Sequence, residues 1–288
     1  MQVVHTVAEL RVALLGKAGI GFVPTMGNLH AGHVSLVKLA KQYTPIVVVS
    51  IFVNPLQFGV NEDFGKYPRT LNADCAKLEG FADIVFAPSV EEMYPDFDGK
   101  HSSQTMLITP PLIANDLCGV FRPGHFSGVA TVVLKLFNMV FANTGQPNIA
   151  VFGKKDFQQL FIIKSLVRQF NLPIRIVEGE TIREANGLAM SSRNGYLTDE
   201  QKIQAALLQQ VLKNIVQKIL DGGSDYEALT QNAMQHLLEN DWKVDYVEVR
   251  SASTLLPAQA EDKVLVVLAA ASFGHTRLID NIDFALSV

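Results

Sequence analysis

Ten consecutive residues early in the chain, Pro24-Thr25-Met26-Gly27-Asn28-Leu29-His30-Ala31-Gly32-His33, set two imidazoles three positions apart behind a glycine turn. Residues three apart on a helix share a face, so His30 and His33 can address one object. A helix start carries unpaired N–H groups and the positive end of the helix dipole, which favours an anion, with a triphosphate the obvious one. Imidazole N–H groups could then donate to phosphate oxygens as charge shifts in a transition state. Two blander readings stand beside this one: half of a metal site, or two ordinary polar helix residues. Metal is the weaker, since no HExxH string and no nearby Cys/His/Asp cluster supplies further ligands. No GxxxxGK[ST] string occurs and no GxGxxG follows an expected strand, so neither the P-loop nor the dinucleotide fingerprint is present.

Three further stretches could carry chemistry. Gly153-Lys154-Lys155-Asp156 sits where a strand ends and a helix starts; a lysine there is a point cation for a triphosphate, and Asp156 can hold Mg²⁺ through one carboxylate and waters. An ordinary charged helix cap would look similar. Met190-Ser191-Ser192-Arg193-Asn194 offers two hydroxyls and a guanidinium in an expected loop, enough to wrap a pyrophosphate, or simply a polar turn. Asn54-Pro55-Leu56-Gln57-Phe58-Gly59 brings the amide of Gln57, which suits a hydroxy acid better than a phosphate, although Asn-Pro and Gly also make plain turns.

The elements that must position these residues follow from periodicity. Gly21–Thr25, Pro45–Val53, Ala82–Ala87, Asn148–Phe152 and Pro173–Glu178 read as strands buried on both faces, with helices expected over Leu29–Tyr43, Leu71–Glu79, Ser127–Phe141 and Asp156–Phe170. That alternation predicts an α/β fold with a doubly wound parallel sheet, in which ligands sit beyond the carboxyl ends of the strands. After about residue 195 the texture changes to a long amphipathic helix over Gln201–Leu220, a second over Tyr226–Glu239, and strands near Val244–Val249 and Val264–Ala270, a smaller α+β domain.

Bulk composition narrows the function classes. With 48% hydrophobic and 18% charged residues the chain can bury a large core. Its 24 basic and 28 acidic residues are interspersed, with no basic tail, so nucleic acid is not an expected partner. Cys75 and Cys118 make no CxxC pair, in keeping with a reducing cytoplasm. The N-terminal residues read as part of the mature fold rather than a signal, and no apolar run approaches the roughly 20 residues of a membrane span.

Taken together, the His-x-Gly-His pair and the Met-Ser-Ser-Arg loop resemble the HIGH and KMSKS signatures of adenylate-forming nucleotidyltransferases. The ordered strings Pro24-Thr25-Met26-Gly27-x-Leu29-His30-x-Gly32-His33, Ser50-Ile51-Phe52-Val53-Asn54-Pro55-x-Gln57-Phe58-Gly59, Tyr67-Pro68-Arg69-Thr70, Arg122-Pro123-Gly124-His125-Phe126 and Gly187-Leu188-Ala189-Met190-Ser191-Ser192-Arg193-Asn194 resemble the pantothenate synthetase (pantoate–β-alanine ligase) family, more loosely continued by Thr276-Arg277-Leu278-Ile279-Asp280-Asn281. The resemblance implies ATP-dependent condensation of pantoate with β-alanine through a pantoyl adenylate, releasing AMP and diphosphate. It implies a Rossmann-like nucleotide-binding domain over residues 1–183 and a smaller domain over 184–288 that closes over the site. By the same resemblance Met26, Gly27, Asn28, Leu29, His30, Ala31, Gly32 and His33 bind ATP, as do Gly153, Lys154, Lys155, Asp156, Ile182, Met190, Ser191, Ser192 and Arg193. Gln57 and Gln159 would bind pantoate and Gln57 also β-alanine; His33, His30 and Lys155 are the catalytic candidates, with Mg²⁺ on Asp156, and a homodimer is expected. The chain departs from the family's usual pattern at Lys154, where Glu is common, and at Asn186, where Asp is usual.

Overall fold

The computed structural model describes residues 1–59, 62–95, 97, 105–142 and 144–286. The chain folds as two compact units, one comprising Met1–Gly153 with Gln159–Gly179, the other Lys154–Gln158 with Glu180–Val288.

In the first unit β1 (Gln2–Val4), α1 (Val7–Leu14), β2 (Ile20–Thr25), α2 (Ala31–Tyr43), β3 (Ile46–Ile51), α3 (Leu71–Leu78), β4 (Ile84–Phe86), α4 (Val90–Met93), α5 (Cys118–Phe121), α6 (His125–Phe141) and β5 (Ile149–Gly153) follow in order; α7 (Phe157–Gln169) and β6 (Arg175–Gly179) complete the α/β pattern. The sheet order is β1-β4-β3-β2-β5-β6 and every pair is parallel. The expected doubly wound sheet is therefore present, with β1 as an added edge strand. Three residues are too short to show a period, which is why β1 escapes sequence reading.

Successive residues of the central strands point to opposite faces, and each face has its own core. Phe22, Val48, Ala150 and Phe152 pack into one apolar cluster with Val129, Val133 and Phe137 of α6, while Val23, Val47, Val49, Ile149 and Val151 pack into another with Val37 and Ala40 of α2 and Leu78 of α3. Burial on both faces explains why these strands read as unbroken apolar runs rather than alternations. From β2 the chain builds outward through β3 and β4, then returns to place β5 and β6 on the other side of β2. The order thus reverses between β2 and β5, and a ligand crevice is expected at their carboxyl ends.

The second unit has α8 (Asp199–Ala205), α9 (Leu207–Leu220) and α10 (Tyr226–Leu238) with an antiparallel meander of β7 (Trp242–Ser251), β8 (Val264–Phe273) and β9 (Thr276–Ala285). The single helix expected over Gln201–Leu220 is two: the Ala206 N–H reaches back to the Ile203 carbonyl, a tight closure that ends α8 before α9 begins. Both pieces keep their apolar residues inward, so the period alone does not reveal the break. β9 was not expected as a strand because its buried positions include the polar Asp280 and Asn281. Among the described residues no helix is long and apolar enough to cross a membrane.

Candidate active site

The turn after β2 is built on two successive left-handed residues, Gly27 at φ +82° and Asn28 at φ +49°. Such a conformation costs an L-residue roughly 1–2 kcal/mol, a penalty that Asn tolerates better than most. Gly27 has no alternative: an added Cβ would press on Ile51 Cγ2 at 3.0 Å and Asp74 Oδ2 at 3.1 Å in addition to the unfavourable φ. What holds the turn is Asp74 of α3, a fully buried carboxylate that accepts the Asn28 N–H at 2.8 Å and the Leu29 N–H at 2.7 Å. Thr70 Oγ1 donates to it at 3.0 Å, and Lys77 Nζ donates to the Leu29 carbonyl at 2.6 Å. The Gly27 N–H goes to Thr25 Oγ1, whose own hydroxyl proton goes to the Ser50 carbonyl.

His30 caps α2 with its ring: Nδ1 accepts the Gly32 N–H at 3.1 Å, while His33 Nδ1 accepts the His30 N–H at 3.3 Å. A ring nitrogen that accepts carries no proton, so in each neutral imidazole the proton resides on Nε2. The two rings lie 4.0 Å apart between centroids, tilted by 42°. Several backbone donors of this turn and helix start are already engaged within the fold. The N–H groups of Asn28, Leu29, His30 and Gly32 all have protein partners. Ala31 and Gly32 form the first turn of α2.

Gln57 lies in a short 3-10 turn after β3, and its amide is held at both ends. Asn54 Nδ2 donates to Gln57 Oε1 at 3.0 Å, and Gln57 Nε2 points at the Met26 thioether at 3.1 Å. A thioether is a weak acceptor, so this donor is available to a better one. Asn54 is itself fixed by the Tyr94 hydroxyl at 3.0 Å and donates to the Gly128 carbonyl at 3.1 Å. Gly128 on α6 must be glycine, because a Cβ would collide with the Leu56 carbonyl. The Gln57 carbonyl accepts from His125 Nδ1 at 2.8 Å and Arg122 Nη2 at 3.3 Å, and Arg122 grips Glu62 bidentately at 2.6 and 2.7 Å. Burial pushes the Glu62 carboxyl up, but the hydrogen bond and charge of Arg122 outweigh it and hold the group below its ordinary range. Gln159 stands half-buried in the first turn of α7.

The second unit carries the other predicted residues. The Met190 N–H donates to the Ile182 carbonyl at 2.9 Å and the Glu184 N–H to the Leu188 carbonyl at 2.8 Å, a short hairpin that brings Ile182 and Met190 together. Arg183 makes a bidentate pair with the buried Asp280 of β9 at 2.7 and 2.9 Å and donates to the Gly187 carbonyl at 3.1 Å. Asn186 Nδ2 donates to the Lys202 carbonyl at 2.9 Å, a bond a carboxylate there could not make. Beyond the hairpin Ser191 caps a 3-10 turn over Ser192–Tyr196, taking the Arg193 N–H. Asn281, next to Asp280, donates one amide nitrogen to two carbonyls, those of Lys154 at 3.0 Å and Lys155 at 2.7 Å.

Lys154, expected to add positive charge for a phosphate, is already answered by Glu180 at 2.7 Å and Asp283 at 3.1 Å. Burial pulls its ammonium pKa down, and those two carboxylates more than offset this, leaving it raised. Asp156 is exposed, and among the described residues no three His, Cys, Asp or Glu side chains converge on a metal position. Asp74, Asn54, Asp280 and Asn281 carry much of this geometry, and sequence reading assigned none of them a role. Asp74 follows the Tyr67-Pro68-Arg69-Thr70 string by one helical turn, the only local signal of its part.

A family model described as pantoate-beta-alanine ligase matches residues 2–283 of this chain. The pantothenate synthetase of Methylobacillus flagellatus is 60% identical over 287 residues, covering 99% of each chain. The crystal structure of pantothenate synthetase from Thermus thermophilus is similar with a TM-score of 0.89 and 41% identity, covering 98% of this chain and 99% of that one. A pantoate-beta-alanine ligase from Francisella tularensis, crystallised in complex with beta-gamma ATP and beta-alanine, is similar with a TM-score of 0.73 and 36% identity over 98% of this chain and 97% of that one.

Proposed function

This chain belongs to the pantoate–β-alanine ligase family, and on that premise we propose that it joins pantoate to β-alanine with ATP, giving pantothenate, AMP and diphosphate. The pantoate carboxylate attacks the α-phosphorus of ATP, forming pantoyl adenylate as diphosphate leaves. The amine of β-alanine then attacks the acyl carbon, and AMP departs with the electron pair of the broken acyl–phosphate bond.

The observation that carries this reading is the His30–His33 pair, each ring with Nδ1 engaged by backbone N–H and its proton therefore on Nε2. A carboxylate nucleophile needs no base, so the imidazoles act as donors to phosphate oxygens as negative charge moves toward the leaving diphosphate. Lys155 supplies a point cation to the same polyphosphate. Met26–His33, Gly153–Asp156, Ile182 and Met190–Arg193 bind ATP, and Gln57 and Gln159 bind pantoate, with Gln57 serving β-alanine as well. Gln57 suits that task because one of its N–H groups faces only a sulfur and can be transferred to a substrate oxygen. Asp156 would hold Mg²⁺ together with the triphosphate, neutralising charge on the departing diphosphate.

We place the enzyme in the cytoplasm, in keeping with two cysteines that lie far apart in sequence and form no CxxC pair. We also propose a homodimer, for which the first unit offers exposed apolar side chains along one stretch, Met106, Leu107, Leu112, Val120 and Phe121; a monomeric mass at micromolar concentration would refute it. The reaction is tested by exchange of labelled diphosphate into ATP without β-alanine. Exchange should depend on pantoate, and adding β-alanine should give AMP and an amide in equal amounts. ADP as product would overturn the assignment.

A further inference from the structure

We propose that Asp74 is a positioning residue for ATP, its carboxylate occupying the anion hole of the Gly27–Leu29 turn and so fixing where His30 and His33 stand; this rests on the ATP-binding role proposed above. Successive backbone N–H groups that converge in a tight turn make a concavity suited to an anion. Here that concavity is filled from within, since Asp74 takes the N–H groups of both Asn28 and Leu29. The same helix also grips the Leu29 peptide from its other side, through Lys77 on the Leu29 carbonyl. Leu29 immediately precedes His30, the cap of α2, so any shift of this peptide moves the first imidazole and, through its N–H bond, the second.

Two features show that the arrangement serves the turn. A carboxylate with no solvent exposure needs every partner it can find, yet two of its bonds go to a segment more than 40 residues away rather than to its own helix. The turn it holds is left-handed at a non-glycine residue, Asn28, a geometry that Asn tolerates at some cost and that the Asp74 bond to its N–H helps to hold. With these donors spent on Asp74, phosphate oxygens are left to the imidazoles. Removing the carboxylate frees two N–H groups, relaxes the turn and spoils the alignment of the His pair.

The test is Asp74→Asn in the full-length enzyme, which keeps the shape but sets an amide NH₂ against one of the two backbone donors. ATP affinity by calorimetry without pantoate should weaken about tenfold or more, the factor expected for one unpaired buried donor. In the exchange assay the KM for ATP should rise in step while the KM for pantoate stays put. Equal rises in both KM values, as general loosening would give, or an unchanged ATP affinity, would overturn the proposal. Should Asp74→Asn fail to fold, Lys77→Met leaves the carboxylate and its backbone bonds in place and removes the tie to the Leu29 carbonyl together with a longer ion pair to Asp74 at 3.9 Å. ATP affinity should then fall about threefold, consistent with loss of one charge-assisted bond at a half-exposed site, and no change would count against the role. Wild-type enzyme that binds ATP but shows no pantoate-dependent exchange would sink the proposed reaction while leaving the calorimetric comparison able to decide on Asp74.

Discussion

The turn after β2 in the first unit and the network around Arg183 and Asn281 in the second each pair backbone with side chains, with a different balance of polarity beside contacts such as Lys77 on the Leu29 carbonyl and Asn186 on the Leu188 N–H. In the first, a buried anion collects backbone donors: Asp74 takes the N–H groups of Asn28 and Leu29. In the second, side-chain donors collect backbone acceptors: Arg183, locked to Asp280, takes the Gly187 carbonyl, and Asn281 takes those of Lys154 and Lys155. The outcome is the same in both units. Part of the backbone's polarity is spent on the fold, and the side chains proposed to meet an anionic substrate can be tested one at a time.

The strongest test of that comparison is His33→Ala. If the imidazole rather than the backbone meets the phosphate, single-turnover formation of the adenylate should slow by about 10²-fold, as for loss of an oxyanion donor. Melting within a few degrees of wild type would confirm an intact fold, and an unchanged rate would return the task to the backbone. Asn281→Ala probes the second unit. It leaves the Lys154 and Lys155 carbonyls short of a partner and should raise the KM for ATP by about five- to tenfold, in line with one to two unsatisfied acceptors; a change confined to thermal stability would make Asn281 a purely structural residue.

The smallest effect is expected at Glu62. Its folded-state pKa lies below the ordinary 4.5, so its ion pair with Arg122 contributes fully above that value and is lost as pH falls through the lowered folded pKa. Glu62→Gln should therefore lower the melting temperature at neutral pH by about 2–4 °C, the shift expected for a loss near 1 kcal/mol in a chain of this size. The gap should narrow as pH falls below 4.5 and the carboxylate takes up its proton. Parallel melting curves for the two proteins from pH 7 to 3 would show that the pair does nothing for the Gln57 turn.

Much of the first unit was legible because its signals are local. The central strands announce themselves as apolar runs, and the His pair, the Gln57 turn and the Met190–Arg193 stretch are contiguous strings whose order carries their meaning. What stayed hidden depends on residues far apart in the chain. Asp74 is an unremarked acid in an amphipathic helix until its partners 45 and 46 residues away are seen. Arg183 and Asp280 are 97 positions apart, and Lys154 and Asn281 are 127 apart. The fate of Lys154 shows the same limit, for a lysine in a phosphate-binding string reads as a free cation until Glu180 and Asp283 are found beside it.

By itself, then, the sequence determined the architecture and the family, since apolar period and short ordered motifs are written in neighbouring residues. Only the tertiary structure decided which polar groups remain available. Hydrogen-bond donors and acceptors are claimed by partners that folding brings in from elsewhere, and in the turn at Gly27–Leu29 it is Asp74, distant in sequence, that claims two backbone donors.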